Sequence, residues 1–306
     1  MTLTKTIVSG TRTSQLALWQ TNYVKQKLEG AWPGLVCQIE PFVTQGDKTL
    51  DKPLPEIGGK GLFTAELEAA LADGRIDIAV HSLKDLPVTD APGLTVGAIT
   101  SRADVRDVLV ARDKWTLGTL PLGATVGTSS LRRKAQLLHA RPDLNIQSIR
   151  GNVDTRLQKV QTGLYDATIL AAAGLTRLGM ESHIAQYLPL DVMLPAPGQG
   201  ALAVQCRTED TAVLSLLAPI NDADTRCCVL AERAFLDGLG SGCSLPVGAY
   251  ATIKNNEIML TGLVAAVDGS RVIEVNGYGR DPHQLGAELA AQALAQGAVA
   301  LLRLGD

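Results

Sequence analysis

Four stretches of this chain carry cations at places that read as strand-to-helix turns. They are GTRTSQLAL with Arg12, GGKGLF with Lys60, GTSSLRR with Arg132 and Arg133, and IRGNVDTRL with Arg150 and Arg156. Positive charge in the first turn of a helix opposes the macrodipole by about 0.3–1 kcal/mol for each group. An anion in the turn removes that cost, because backbone N–H groups, hydroxyls and guanidinium forks then converge on its oxygens. Arginine suits a carboxylate in particular, since its planar fork meets both oxygens. Thr13 and Ser14 are helix-capping candidates in the first of these turns. Together the turns predict one extended site for a ligand with several negative charges.

HSLKDLP (81–87) follows the apolar run IDIAV, which puts Lys84 and Asp85 at the same rim. A lone carboxylate among cations stays ionised, and so suits stabilising a developing cation or moving a proton. An aspartate in a turn before Pro87, making a local hydrogen bond, accounts for Asp85 equally well. His81 reads as structural. Arg177 in AAAGLTRLG and Gln199 in APGQGA fit a cap or a hinge contact as readily as a binding role. SGCSLPVG sets Cys243 in a glycine loop at the entrance to a strand, where a thiol stays open to reaction. The other cysteines, Cys37, Cys206, Cys227 and Cys228, form no C-x-x-C pair, so neither a disulfide framework nor a metal site is expected.

The elements that must position these residues alternate in type. KTIVS (5–9) and LVCQIEPFV (35–43) read as strands, with helical spacing in QLALWQTNYVKQKL between them; GLFTAELEAALADG, IDIAV (76–80) and LTVGAI continue the series. A second series holds DVLVA (107–111), ATVGTSS (124–130), a helix from Leu131 to about residue 140, NIQSI (145–149), a helix from about Val153, and YDATILA (165–171). Such alternation implies parallel or mixed sheets covered on both faces. LPAPGQGALAVQC (194–206) interrupts it and leads into a further strand. From about Asp222 one helix runs to Leu239, then three strands turn at Asn255-Asn256 and Asp268-Gly269, and a last helix covers about 282–302, a small α+β domain with an antiparallel sheet.

Composition sets the outer bounds. The 306 residues are 46% hydrophobic and 19% charged, as in a packed globular protein of two or three domains. Aromatic residues make up 4% and the net charge is −3, which excludes a stacking or polycationic nucleic-acid surface; no nucleic-acid partner is expected. No stretch has the length of a bilayer-spanning helix or a signal-peptide core, so no membrane partner and a cytoplasmic location are expected.

In order and approximate spacing, SGTRTSQLAL, GGKGLFTAELE, DIAVHSLKDLP, GTSSLRR, IRGNVDTRL, LAAAGLTRLG, PAPGQGAL and GSGCSLPVG resemble the porphobilinogen deaminase (hydroxymethylbilane synthase) family over essentially the whole chain. The resemblance implies two α/β domains like those of periplasmic binding proteins, residues 1–100 with 198–218 and residues 101–197. A C-terminal α+β domain with a three-stranded antiparallel sheet, residues 219–306, follows. It implies a transferase of tetrapyrrole and heme biosynthesis that joins four porphobilinogen molecules head to tail into hydroxymethylbilane, releasing ammonia, on a dipyrromethane cofactor held by a thioether at Cys243. Each addition passes through an azafulvenium-like cation, with Asp85 and Lys84 in catalytic roles. By the same resemblance Lys60, Lys84, Ser130, Arg132 and Arg133 contact the cofactor, while Arg12, Ser14, Arg150, Arg156, Arg177 and Gln199 contact substrate. A monomer is implied, with its product passing to uroporphyrinogen-III synthase. The chain departs from the family's often basic residues at Glu56 and Ala65. The competing reading is a two-domain binding protein for a small polyanion without catalysis, which needs neither Asp85 nor an accessible Cys243.

Overall fold

The computed structural model describes residues 5–48, 61–240 and 245–303. The strands are β1 (Lys5–Arg12), β2 (Leu35–Phe42), β3 (Ile78–Ser82), β4 (Leu94–Ile99), β5 (Asp107–Ala111), β6 (Thr125–Gly127), β7 (Asn145–Gln147), β8 (Ala167–Ala171), β9 (Gln186–Tyr187), β10 (Leu202–Arg207), β11 (Val247–Lys254), β12 (Glu257–Ala265) and β13 (Val272–Gly279). The helices are α1 (Gln15–Ala31), α2 (Gln45–Lys48), α3 (Ala65–Ala72), α4 (Leu131–Ala140), α5 (Val153–Gln161), α6 (Ala172–Arg177), α7 (Thr211–Leu217), α8 (Ala223–Gly238), α9 (Pro282–Ala295) and α10 (Ala298–Arg303).

The chain divides into two compact units. Among the described residues, the first comprises 5–48, 61–103 and 200–226, and the second 104–199, 227–240 and 245–303. In the first unit the sheet order is β2-β1-β3-β10-β4. β1 pairs in parallel with β2 and β3, and β10 runs antiparallel to both β3 and β4. The sheet is mixed and covered on both faces, as the alternation predicts. α1 buries Ala17, Gln20, Thr21, Val24 and Leu28, which fall on one face at helical spacing, and this stripe packs on Ile7, Ile78, Val80 and Val204. α3 sets Leu67, Ala70 and Leu71 against Ala79 on the opposite face. β10 is buried on both sides, so it reads as an apolar run without alternation.

The second unit contains a sheet of the same design, β7-β6-β8-β5-β9, with β6 parallel to β7 and β8 and β5 antiparallel to β8 and β9. In both sheets, therefore, one antiparallel strand lies fourth in an otherwise parallel set. An antiparallel strand begins at the rim where its parallel neighbours end. Asp107, the first residue of β5, pairs with Ala171, the last of β8.

The same unit holds the antiparallel sheet β11-β12-β13. Asn255 and Asn256 both adopt positive φ, 53° and 61°, the two-residue turn that joins β11 to β12. Phe235 of α8 is fully buried among Ala249, Leu260, Val264 and Leu289. The C-terminal helix expected over 282–302 is two helices, because Gly297 takes φ +99° and ends the first of them. α4 docks on the hairpin of β12 and β13: His139 Nδ1 lies 3.0 Å from the Gly269 carbonyl oxygen, and Ala135 packs with Leu263 and Ala265.

Candidate functional site

Arg12, Ser14, Lys84 and Asp85 in the first unit, and Ser130, Arg132, Arg133 and Arg150 in the second, lie at or just beyond the ends of parallel strands. At the end of β1, Ser14 caps α1, its Oγ accepting from the Ala17 N–H at 3.3 Å. Arg12 is engaged within the unit. Its Nε donates to Asp47 Oδ2 at 3.2 Å, its Nη2 to Asp47 Oδ1, and its guanidinium lies 4.3 Å above the Phe63 ring. Burial raises the Asp47 pKa, but the hydrogen bond and charge of Arg12, with hydrogen bonds from Thr44, outweigh that and hold it below the usual carboxylate value.

β3 ends at Ser82, whose Oγ accepts from Gln20 Nε2 at 2.8 Å. The 3₁₀ turn Leu83–Asp85 follows, anchored by buried Leu83, whose N–H donates to the Ala201 carbonyl at 3.1 Å. With Leu83 inward, Lys84 is half-buried and Asp85 is exposed. His81, one residue before Ser82, is 6% exposed, and its Nε2 has no hydrogen-bond partner. Burial pushes its pKa down to about 4; Gln205 works in the other direction and the charge of Arg12 adds to the fall. His81 is thus a neutral core residue, as its sequence setting predicts.

In the second unit Ser130 caps α4, accepting from the Arg133 N–H at 3.4 Å. Arg132 and Arg133, in the first turn of α4, are 4% and 7% exposed, and both reach Asp107, which is fully buried. Arg132 Nη1 donates to Asp107 Oδ2 at 2.8 Å and to the Leu194 carbonyl at 2.7 Å. Arg133 Nη2 donates to Asp107 Oδ1 at 2.7 Å, and its Nη1 to the Ile169 carbonyl at 3.0 Å. Gln199 Nε2 joins them, 2.9 Å from Asp107 Oδ1 and 2.7 Å from the Val105 carbonyl. Burial lowers the Arg132 pKa, Asp107 opposes that and Arg133 reinforces it.

Arg150 lies on the loop between β7 and α5, its pKa lowered by burial. Arg156 Nε donates to the Gly151 carbonyl at 2.8 Å, and Arg177 stands in the last turn of α6. The macrodipole conflict read from sequence is therefore answered in part inside the chain, by Asp47 for Arg12 and by Asp107 for Arg132 and Arg133. Lys60 and Cys243, together with Glu56, lie outside the described residues.

Two buried carboxylates were not singled out by sequence. Asp107 is one. Glu232 of α8 is the other, fully buried, accepting from the Gly198 N–H at 2.7 Å and the Ala251 N–H at 2.8 Å. It ties the segment that carries Gln199 to the antiparallel sheet. The signal for Asp107 was available: a charged first residue on an otherwise apolar strand, DVLVA.

A dipyrromethane with carboxylate side arms fits the second unit's rim. Two guanidinium groups share one carboxylate, which leaves a positive charge in excess, and the buried Arg133 Nε has no hydrogen-bond partner. The four described cysteines are thiols; burial pushes the pKa values of Cys37 and Cys206 up to about 11, as suits inert core positions. No cluster of metal-ligating side chains occurs among the described residues, nor any helix long and apolar enough to cross a membrane.

The fold and these rims define an α/β protein with arginine-bearing turns at the carboxyl ends of its strands, the place where such sheets bind ligands. Residues 7–215 match the family model described as porphobilinogen deaminase, dipyrromethane cofactor binding domain, and residues 226–295 match the porphobilinogen deaminase C-terminal domain. The chain belongs to the porphobilinogen deaminase family. A porphobilinogen deaminase of Brevibacillus brevis is 52% identical over 94% of this chain and 94% of its own length. Those of Syntrophotalea carbinolica and a Roseiflexus species are 51% and 50% identical, each over 97% of this chain and over 95% and 99% of their own lengths. Among solved structures, a sulfate-bound OxyR2 regulatory domain from Vibrio vulnificus is similar at a TM-score of 0.45 and 15% identity, over 72% of this chain and 97% of its own. A periplasmic solute-binding protein from Desulfovibrio salexigens is similar at 0.41 and 12%, over 71% and 72%.

Proposed function

We propose that this chain condenses four porphobilinogen molecules head to tail into the linear tetrapyrrole hydroxymethylbilane, with loss of ammonia at each addition. The single observation that carries the reading is the match of both cofactor-binding and C-terminal domains to this family, along with about half of all residues identical to named deaminases. A binding protein without catalysis leaves the match of residues 226–295 unexplained. When bound, the dipyrromethane would supply the free pyrrole α-carbon that takes the first unit, each later unit adding to the free α-carbon of the unit before it.

The chain's own residues supply the rest. Cys243 holds the cofactor through its sulfur. Ser130, Arg132, Arg133, Lys60 and Lys84 hold cofactor carboxylates, and Arg12, Ser14, Arg150, Arg156 and Arg177 orient those of the substrate, with Gln199 acting through its hydrogen bond to Asp107. Asp85 offers its exposed carboxylate as counter-charge where positive charge develops on a pyrrole nitrogen, and takes up or returns a proton at Oδ. Leu83 supports this role, because its burial fixes the turn from which Asp85 projects.

We infer a three-domain organisation, residues 1–100 with 198–218, 101–197 and 219–306. Three separate sheets support it, and the small shared core of Ala135, Leu194, Leu263 and Ala265 accounts for the last two packing as one unit. The monomeric state and delivery of product to uroporphyrinogen-III synthase belong to the same reading.

Purified protein incubated with porphobilinogen is expected to carry a dipyrrole adduct by intact mass. Cys243→Ser is expected to lack it, and Asp85→Ala to keep it while losing at least 100-fold in turnover. An adduct on Cys243→Ser, or Asp85→Ala turnover within a few-fold of wild type, overturns the corresponding assignment.

A further inference from the structure

We propose that Asp107 is the positioning residue of this site: one buried carboxylate both aims the guanidinium groups of Arg132 and Arg133 and sets how much positive charge they present to a ligand carboxylate. The inference rests on the deaminase reading and adds to it a residue that does not touch the ligand.

The geometry is that of a hub. Asp107 is fully buried, and each of its oxygens is claimed by a different arginine, Oδ2 by Arg132 at 2.8 Å and Oδ1 by Arg133 at 2.7 Å. Gln199 adds a third donor at 2.9 Å. These groups come from strand β5, helix α4 and the segment before β10, so the carboxylate fixes three separate pieces of backbone to one point. Its place at the rim follows from register, because Asp107 pairs with Ala171 where β8 ends and the arginine-bearing turn of α4 begins beside it.

The electrostatics point the same way. Two guanidinium ions side by side repel each other, and burial makes both costly. One carboxylate between them removes most of that cost and leaves a single positive charge in excess. A second buried acid would cancel the attraction for an anion, and none at all would leave two unscreened cations. The orphaned Arg133 Nε shows that the chain does not satisfy the pair completely.

Three variants separate charge from mere support. Asp107→Asn keeps the shape and raises the excess of the trio to two charges. Arg133→Gln lowers it to zero, and the double variant Asp107→Asn/Arg133→Gln returns it to one. The readouts are the rate of adduct formation from apoprotein and porphobilinogen, followed by intact mass at low and high salt, and the thermal midpoint. Each single variant is expected to form adduct at least tenfold more slowly than wild type, while the double variant, which has the wild-type charge but lacks the Arg133 fork, stays below wild type and is at least threefold faster than Arg133→Gln. A purely structural role makes the double variant as slow as the worse single variant or slower, and that result overturns the proposal. So does adduct formation at the wild-type rate in all three. If Asp107→Asn does not fold, the comparison of Arg133→Gln with the double variant still decides. Wild-type protein that forms no adduct overturns the deaminase reading, and this proposal with it; variants indistinguishable from an adduct-forming wild type overturn this proposal alone.

Discussion

His81 makes the fold itself sensitive to acid. Its imidazole is 6% exposed and its Nε2 has no hydrogen-bond partner, and burial lowers its pKa from 6.5 to about 4. Between those values the unfolded chain binds a proton at this residue and the folded chain does not, so stability falls as pH drops from about 6.5 to about 4 and levels off below. At about 1.4 kcal/mol per pH unit, the loss reaches about 3 kcal/mol by pH 4. Carboxylates titrate in the same range, so the quantity to measure is the difference between wild type and His81→Gln, which is neutral throughout. Urea denaturation at pH 7 and pH 4 is expected to show the variant gaining about 3 kcal/mol on the wild type as pH falls. Imidazole resonances in carbon-13-labelled protein give the same answer directly: of the four histidines, the one missing from the variant should stay neutral to about pH 4. Parallel denaturation profiles, or a His81 resonance titrating near 6.5, would refute the argument from burial. Since Lys84 and Asp85 follow His81 by three and four residues, turnover is expected to fail in acid along with the strand that carries them.

Asp47→Asn removes the carboxylate that holds Arg12, a half-buried charged hydrogen bond worth about 1.5 kcal/mol. Because the Asp47 pKa is lowered in the fold, its contribution is present above the unfolded value near 3.8 and disappears as pH falls through the folded one, so the difference between the thermal midpoints of variant and wild type is expected to be full at pH 7 and to shrink as pH falls below about 3.8. Phe235→Ala empties the centre of the C-terminal core and is expected to cost about 3–5 kcal/mol by urea denaturation; a loss below 1 kcal/mol counts against its role. Gly269→Val places a side chain where even a Cβ comes within 2.5 Å of the His139 nitrogen, at φ +75°, so amide exchange in 131–140 is expected to accelerate at least tenfold, and unchanged exchange would show that the hairpin does not brace α4.

Much of this was legible because local chemistry governs it. LTVGAI and DVLVA are observed as strands over the same residues, and α4 spans Leu131–Ala140, where Ser130 supplies the cap and the apolar positions recur at helical spacing. α7 was not expected, although Asp210 caps it through the Val213 N–H. The arginine turns have partners inside the chain that the sequence does not announce. Asp47 lies 35 residues from Arg12, and Asp107 lies 25 from Arg132, so only strand order and register bring them together. The fourth strand of the first sheet posed the same difficulty, since its neighbours β3 and β4 are more than a hundred residues earlier in the chain.

That late strand has a consequence for biogenesis. When the ribosome has made residues 1–103, β4 has nothing to pair with, because the strand between it and β3 emerges only after residue 200. At about 5–20 residues per second the gap lasts about 5–20 seconds, with two unpaired strand edges exposed to neighbouring nascent chains. A chaperone that shields nascent strand edges would find its window here, and destabilising changes in β10 should lower soluble yield more than their effect on the finished fold suggests.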